Sequence, residues 1–392
     1  MDRRRDVNRA GLVDIIAGAR PNFMKIAPII RAIQQRQAGG SALRYRLVHT
    51  GQHYDARMSG DFFTQLGIPE PDVNLEVGSG TQAEQTAGIM TKYERLLLDA
   101  RSDLCLVVGD VTSTMACAIA AQKLRVPVAH VEAGIRSGDW AMPEEINRLV
   151  TDAITNWFFT TSEVANANLR GAGVAPERLF FVGNTMIDTL LANLGRLRPP
   201  PFWNDAGLQP GGYFVMTLHR PANVDDAAGF ARLIEAVGRA TRGLPVVFPV
   251  HPRTAKTLAA LPQRPAGLLT VDPQPYLEFN HLVRHARGVI TDSGGVTEET
   301  TVLGVPCVTL RDTTERPETV TVGTNELIGT DPAALEPALA RLFAGQWKKG
   351  AIPPLWDGHT GERIAEILER LLVRPGQADT PAAGSGGAAA GS

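Results

Sequence analysis

One glycine-rich turn has the residue types needed to hold a diphosphate. The apolar residues 288–290 are followed by a turn that contains Ser293, Gly294 and Gly295. When such a turn joins a strand to a helix, the two glycines let backbone N–H groups reach an anion at the helix N-terminus. The Ser293 hydroxyl can donate to the same anion, and Glu299 can accept from both hydroxyls of a ribose. An ordinary strand-to-helix turn, common in α/β folds, is the alternative.

Several carboxylates follow apolar runs within a short span and are candidates for proton transfer. They are Asp110, Glu132, Glu144 and Glu145. We expect at least some of them to face one pocket, where mutual repulsion would raise the pKa of a carboxyl group towards the range useful for proton transfer. The alternatives are structural: Asp110 as a helix N-cap, Glu144 as a solvated helix start, and Glu145 in a surface pair with Arg148.

Basic residues stand at the ends of other apolar runs and favour an anionic ligand. Arg20 and Lys25 follow the first run, His219 and Arg220 follow another, and His251 follows the next one. A guanidinium suits bidentate contact with phosphate, although Arg20 could instead pair with a neighbouring carboxylate. His219, at a strand end, is an acid or base candidate. The spacing of dinucleotide-binding and P-loop motifs is missing, so NAD and ATP are poorly supported.

Alternating strands and helices must position these residues. Short apolar runs at 12–17, 45–50, 104–108, 126–131 and 157–161 predict one parallel sheet, and runs at 213–217, 246–250, 268–271, 288–291 and 306–310 predict a second. We therefore predict an α/β protein with two Rossmann-like domains around a central cleft.

The predicted domains are residues 10–194 and 213–374, with the second carrying the nucleotide and its last helix packing back on the first domain. The proline- and glycine-rich segment 195–212 suits a linker. Residues 375–392 are almost entirely small or polar, which predicts a disordered tail.

Composition narrows the class of protein. The chain has 392 residues and 44% hydrophobic content, with a net charge of −2 and no long basic run, so neither nucleic acid nor a membrane is favoured as a partner. Three cysteines without paired spacing indicate reduced thiols, and no spacing fits a metal site. With no signal-peptide core, we expect a cytoplasmic protein. The missing metal-ligand and dinucleotide-binding patterns favour neither a metal nor a redox cofactor.

Eight motifs, in order along the chain, resemble those of the non-hydrolysing UDP-N-acetylglucosamine 2-epimerases. They are GARPNFMK (18–25), TGQH (50–53), GD (109–110), HVEAG (130–134), PEEINR (143–148), HR (219–220), DSGG with EE (292–295, 298–299) and RDTTERPE (311–318). The resemblance spans nearly the whole predicted folded body and implies a glycosyltransferase-B-type arrangement of the two domains.

The resemblance also implies a reaction and a set of site residues. UDP would be eliminated while the C2 proton is removed, and it would add back to the glycal with C2 reprotonated on the other face. The implied catalytic residues are Asp110, Glu132, Glu144 and His219. The implied substrate-binding residues are Arg20, Lys25, His53, Ser293, Gly294, Gly295, Glu299 and Arg316. His251, which follows a neighbouring apolar run, joins them as a candidate for anion binding. The family also implies a homodimer.

The chain departs from the family pattern at two positions. Ala222 stands where an acidic residue is common, and Tyr54 follows His53 where activated members carry another glutamine nearby. We therefore expect activation by substrate to be altered or absent. Trp140 lies between two of the implied catalytic glutamates, and we expect it to narrow or reshape the sugar site. A diacetamido uronic acid nucleotide as substrate, a hydrolysing epimerase, a UDP-sugar glycosyltransferase and a non-catalytic sensor are the alternatives.

Overall fold

The structure, a computed structural model, describes residues 11–51, 65–261 and 265–373. The tail predicted for residues 375–392 lies outside these ranges.

Seven parallel strands form the first sheet, in the order β3-β2-β1-β4-β5-β6-β7. The strands are β1 Gly11–Ala17, β2 Leu43–His49, β3 Val73–Asn74, β4 Leu104–Val108, β5 Val128–Val131, β6 Trp157–Thr160 and β7 Leu179–Phe181. Every residue of β4 and β5 is buried, because helices cover both faces of the sheet. This double burial explains why the central strands read as continuous apolar runs.

Six parallel strands form the second sheet, in the order β10-β9-β8-β11-β12-β13. They are β8 Phe214–Thr217, β9 Val246–Pro249, β10 Leu268–Val271, β11 Gly288–Thr291, β12 Cys307–Thr309 and β13 Asn325–Leu327. The prediction of two parallel-sheet α/β domains is confirmed. It missed β3, β7 and β13, which are edge strands of two or three residues and contain no run long enough to recognise.

Helices alternate with the strands of both sheets. In the first part of the chain they are α1 Arg20–Ala38, α2 Gln82–Asp99, α3 Thr112–Lys123, α4 Pro143–Ile154, α5 Glu163–Gly171 and α6 Thr185–Asn193. Those that follow are α7 Pro221–Val224, α8 Ala227–Ala240, α9 Pro252–Ala259, α10 Tyr276–His285, α11 Gly294–Leu303, α12 Pro317–Thr321, α13 Leu335–Phe343 and α14 Thr360–Leu372. Short 3-10 helices occupy Pro176–Arg178, Leu194–Arg196 and Pro332–Ala334.

The last helix, α14, packs against α1 of the first domain. Its residues Ile364, Ala365 and Leu368 belong to the same hydrophobic core as the strands of the first sheet. The N–H of Gly361 donates to the Asp188 carboxylate at 2.7 Å. The chain therefore crosses from the second domain back to the first.

The segment predicted as a linker packs on the second domain. Trp203 makes an edge contact with Tyr213, with ring centroids 5.5 Å apart, and a second edge contact with His281 at 4.9 Å. Leu208 is buried in the same cluster.

Among the helices of residues 11–51, 65–261 and 265–373, none has the length and apolar character needed to cross a membrane.

Gly183, between β7 and α6, offers a test of how the returning chain is held. Its φ is +102°, and an added Cβ would lie 2.1 Å from the Leu355 carbonyl oxygen. We expect Gly183→Ala to lower the free energy of unfolding by about 3 kcal/mol in urea titrations, from backbone strain and this clash together.

Gly173→Ala is the matched control, because its φ is +84° and no heavy atom lies within 4 Å of the added Cβ. We expect it to cost about 1 to 2 kcal/mol from backbone strain alone. Equal costs for the two variants would show that the close approach of Leu355 contributes nothing.

Candidate active site

The candidate residues lie where the two sheets present the carboxyl ends of their strands. Asp110 follows β4 and Glu132 follows β5, whereas His219 follows β8 and Ser293 follows β11. Contacts between the two domains join these edges, because Arg316 of the second domain reaches Glu132 of the first. Ligands of open α/β sheets bind at this edge.

Glu132 is buried and shares one carboxylate oxygen between two cations. Its Oε2 lies 2.7 Å from Lys25 Nζ and 2.8 Å from an Arg316 terminal nitrogen. Burial alone would raise the pKa of Glu132, but Lys25 and Arg316 hold it below its ordinary value. The backbone φ is +67°, a left-handed conformation that costs free energy in a residue other than glycine. A strained turn therefore aims this carboxylate at two cations.

Arg316 is held from its other side by Glu298. The Arg316 Nε pairs with a Glu298 oxygen that also accepts from the Asn184 amide at 2.9 Å. Burial raises the pKa of Glu298 even though Arg316 opposes the rise. Glu318 is also buried near Arg316, and burial raises its pKa to about 7.

Asp110 belongs to a second ion-pair cluster built on Arg148. The Arg148 Nε donates to Asp110 at 3.0 Å, and another nitrogen of the same guanidinium donates to Glu145 at 2.7 Å. Asn147 donates to the Asp110 carbonyl at 2.8 Å. Glu144 is half-buried in the first turn of α4, while its neighbour Glu145 is buried and makes the ion pair.

The expectation that repulsion raises the pKa of a carboxyl group in this cluster is wrong for Asp110, Glu132 and Glu145. All three pKa values are lowered, although burial opposes the change. Cations and N–H donors outweigh the repulsion, chiefly Arg148 for Asp110, and for Glu145 the backbone N–H of Ser137 together with Arg148. The predicted surface pair of Glu145 and Arg148 is in fact buried.

His219 is oriented by Asp292. Its Nδ1 lies 2.7 Å from an Asp292 oxygen, and the backbone N–H groups of His219 and Arg220 donate to the same carboxylate at 3.0 and 2.9 Å. The His219 side chain is 45% exposed, whereas Asp292 is fully buried. Asp292 therefore fixes the ring and leaves Nε2 as the nitrogen that it does not hold.

The turn of Ser293, Gly294 and Gly295 begins α11. Built Cβ atoms at Gly294 and Gly295 would have their nearest neighbours 3.9 Å away, so the packing of the described residues does not itself demand glycine there. The Ser293 hydroxyl does not cap α11. An anion at the helix N-terminus would use the open space beside Gly294 and Gly295 and the Ser293 hydroxyl.

Glu299 lies one turn further along α11. It is buried, and the Asn280 amide donates to it at 3.3 Å. Burial raises the pKa of Glu299 to about 7, against the lowering effects of Asn280 and Tyr276. A ribose would therefore meet a carboxyl group that titrates near neutral pH.

Three of the predicted substrate-binding residues do not take part in the contacts described above. His251 is exposed after β9, at the start of α9. Arg20 begins α1, but its side chain lies outside the described part of the structure, and so does all of His53 with the neighbouring Tyr54.

Several site residues were missed by sequence reasoning: Arg148, Asp292, Glu298, Glu315 and Glu318. Glu315 pairs bidentately with Arg311, at 2.6 and 2.8 Å, and approaches Arg220 at 3.5 Å. All five lie inside the motifs quoted above. For Arg148 the sequence offered one signal, helical spacing, because Arg148 lies three residues after Glu145 on the same face of the helix.

Comparison with known proteins places the chain in a family. Residues 35–369 match the family model described as UDP-N-acetylglucosamine 2-epimerase. The UDP-N-acetylglucosamine 2-epimerase of Methanocaldococcus jannaschii is 39% identical over 369 residues, covering 91% of this chain and 98% of the relative. The chain belongs to the UDP-N-acetylglucosamine 2-epimerase family.

Other members of the family are similar along the same length. The UDP-2,3-diacetamido-2,3-dideoxy-D-glucuronate 2-epimerase of Pseudomonas aeruginosa is 39% identical and covers 91% of this chain, which covers 99% of it. The crystal structure of the M. jannaschii UDP-GlcNAc 2-epimerase with UDP-GlcNAc and UDP superposes with a TM-score of 0.80, covering 91% of this chain and 99% of the other. As a member of the epimerase family, the chain is an isomerase.

A more distant likeness supports the domain arrangement. A UDP-glucosyltransferase from Polygonum tinctorium aligns with a TM-score of 0.55 at 12% identity, over 94% of each chain. At that identity it shows a shared fold alone.

Among the described residues of the epimerase, no group of three or more His, Cys, Asp or Glu side chains is placed to hold a metal ion.

The raised pKa of Glu299 predicts a pH-dependent stability difference. The carboxyl group titrates at about 7 in the folded protein against an ordinary 4.5, so the folded state loses stability as pH rises from 4.5 to 7. We expect Glu299→Gln to gain stability relative to wild type across this range, by on the order of 3 kcal/mol. Urea unfolding at a series of pH values measures this difference.

Glu163→Gln is the control, because the Glu163 side chain is 64% exposed and pairs only with Arg170 and Asn166 among the contacts described. Its stability difference from wild type should stay flat over the same range. A flat difference for Glu299→Gln as well would contradict the raised pKa.

Proposed function

We propose that this epimerase reversibly converts UDP-N-acetylglucosamine to UDP-N-acetylmannosamine. A base takes the C2 proton, the C1–O bond breaks, and UDP leaves with the bonding electrons, so that a C1–C2 double bond forms in the sugar. UDP then adds back at C1 while an acid delivers a proton to the opposite face of C2. The net change is inversion at C2, with no gain or loss of electrons.

The observation that carries the proposal is the meeting of proton-transfer groups and cations in one cleft. Glu132 lies within 3 Å of both Lys25 and Arg316, and Asp110 adjoins the same group. The reaction needs a base near C2 and positive charge on the departing diphosphate, which fixed cations in a water-poor site stabilise strongly. The closeness of these groups supports the proposal.

The proposal assigns each candidate residue a role. We assign proton transfer to Asp110, Glu132, Glu144 and His219. We assign diphosphate binding to Arg20, Lys25, Arg316 and the turn of Ser293, Gly294 and Gly295. Glu299 would hold the ribose, and His53 and His251 complete the proposed substrate-binding set.

A related nucleotide sugar is the second candidate substrate. The P. aeruginosa relative named for UDP-2,3-diacetamido-2,3-dideoxy-D-glucuronate is as similar to this chain as the M. jannaschii relative. A uronate brings an extra carboxylate, which requires a cation near the sugar. Arg220 is a candidate partner, since its side chain is 27% exposed next to His219.

Proton NMR in D₂O distinguishes these substrates and the alternative reactions. With UDP-N-acetylglucosamine, we expect UDP-N-acetylmannosamine to appear with deuterium at C2, and the remaining starting material to acquire deuterium at C2. Free N-acetylmannosamine with UDP would instead indicate a hydrolysing enzyme. No turnover of this nucleotide, but turnover of the diacetamido uronate, would establish the second candidate.

His219→Asn tests the proton-transfer assignment. We expect turnover to fall by about 100- to 10,000-fold, the usual contribution of a general acid or base, while UDP still raises the melting temperature. His359→Asn is the matched control, because His359 is exposed on the N-terminal side of α14 and pairs with Glu362. Near-normal turnover of His219→Asn would remove His219 from the mechanism.

We further propose that the epimerase works in the cytoplasm as a homodimer. The buried, unpaired thiols of Cys105, Cys117 and Cys307 support a reducing compartment. The homodimer rests on the family resemblance, and light scattering of the purified protein tests it directly.

A further inference from the structure

Only one of the two carboxylate oxygens of Glu132 has partners among the described residues. Its Oε2 receives both Lys25 and Arg316, while its Oε1 is buried and accepts no hydrogen bond from the described residues. A buried carboxylate oxygen without a donor is costly. The cost is tolerated here because two cations act on the neighbouring oxygen.

The same two cations are those that the proposed function assigns to the diphosphate. Lys25 approaches from α1 in the first domain, and Arg316 approaches from the residue before α12 in the second. In the described structure both point at Glu132, with side chains 12% and 10% exposed. A diphosphate entering the cleft must therefore draw them from Glu132 or share them with it.

We propose that the diphosphate and Glu132 compete for Lys25 and Arg316, so that binding of the nucleotide releases Glu132 to act as a base. This inference rests on the proposed function and adds to it the event that activates the base. The nucleotide is then both the substrate and the trigger for its own deprotonation.

The way Arg316 is held supports a change of partner at one end only. Its Nε is fixed by Glu298 of α11, and Glu298 is itself held by the Asn184 amide. A different nitrogen of the same guanidinium reaches Glu132, so this contact can be exchanged while the Nε contact to Glu298 remains. Glu298 lies one turn beyond Gly294 and Gly295, so the anchor places Arg316 beside the proposed diphosphate turn.

The electrostatics give the direction of the effect. Three charged groups act directly on Glu132: Lys25, Arg316 and Asp110. Two further carboxyl groups, those of Glu298 and Glu318, interact electrostatically with both Glu132 and Arg316. While the cations face Glu132, they hold its pKa low and make it a weak base. Once a diphosphate neutralises them, burial and the nearby carboxylates dominate and raise the pKa of Glu132.

Titration of UDP into three proteins tests the competition. Reciprocity requires that if Glu132 competes with UDP, removing its charge tightens UDP binding. We expect Glu132→Gln to bind UDP about 5- to 100-fold more tightly than wild type in calorimetry, the usual range of coupling between two sites. Glu144→Gln removes the same charge from a residue outside these ion pairs and should change the affinity less than about threefold.

Equal or weaker UDP binding by folded Glu132→Gln would overturn the inference and leave the proposed function standing. An equal tightening in Glu144→Gln would also overturn it, because the effect would then be general electrostatics. Failure of wild type to bind UDP would overturn the proposed function, and this inference with it.

The pH dependence of wild-type turnover gives a second test that needs no variant. The acid limb of kcat/KM reports the base in the free enzyme, and that of kcat reports it in the substrate complex. We expect the kcat limb to lie at higher pH, because the bound nucleotide strengthens the base. Coincident limbs, or a kcat limb at lower pH, would contradict the release of Glu132.

Discussion

The constraint on which the cleft depends is the burial of Arg316 between carboxylates of both domains. Removing a guanidinium from water costs several kcal/mol, and only close partners offset the penalty. Glu132 supplies one partner from the first domain, and Glu298 supplies the other from α11. Asn184 of the first domain also donates to Glu298, so both carboxylates that hold Arg316 are in contact with the first domain. The same ion pairs therefore hold the two domains together and set the charges of the site.

Strand ends turn sharply in order to deliver these groups. Gly109 and Gly134 have φ values of +69° and +79°, and an added Cβ at Gly134 would lie 2.4 Å from the Ala165 carbonyl oxygen. Glu132 adopts the same left-handed region without being glycine. Its strain is offset by the two ion pairs that the side chain makes in this conformation. Backbone strain and side-chain charge are thus coupled at the residue proposed to take the proton.

The alternation of buried strands and helices could be predicted from sequence because burial on both faces leaves a local pattern, the unbroken apolar run of β4. The pKa directions in the cleft leave no such pattern. Glu132 finds its cations 107 residues before it and 184 residues after it, and these partners decide the sign of its shift. Counting carboxylates along the chain predicted repulsion, since the cations that cancel it are supplied by folding. Similarly, no local pattern distinguishes the buried Glu145 from the half-buried Glu144.

Two sets of carboxyl groups with opposite pKa shifts meet around Arg316. On the first domain the pKa values of Asp110 and Glu132 are lowered by cations, whereas on the second those of Glu298, Glu299 and Glu318 are raised by burial. A reaction that removes a proton from one face and returns one to the other needs an ionised and a protonated group at the same pH. Arg316 lies on the boundary between the two sets, touching Glu132 on one side and Glu298 on the other. A ligand that moves its guanidinium therefore changes the proton affinities of Glu132, Glu298 and Glu318 together, so the proposed binding of a diphosphate would be coupled to the protonation state of the cleft.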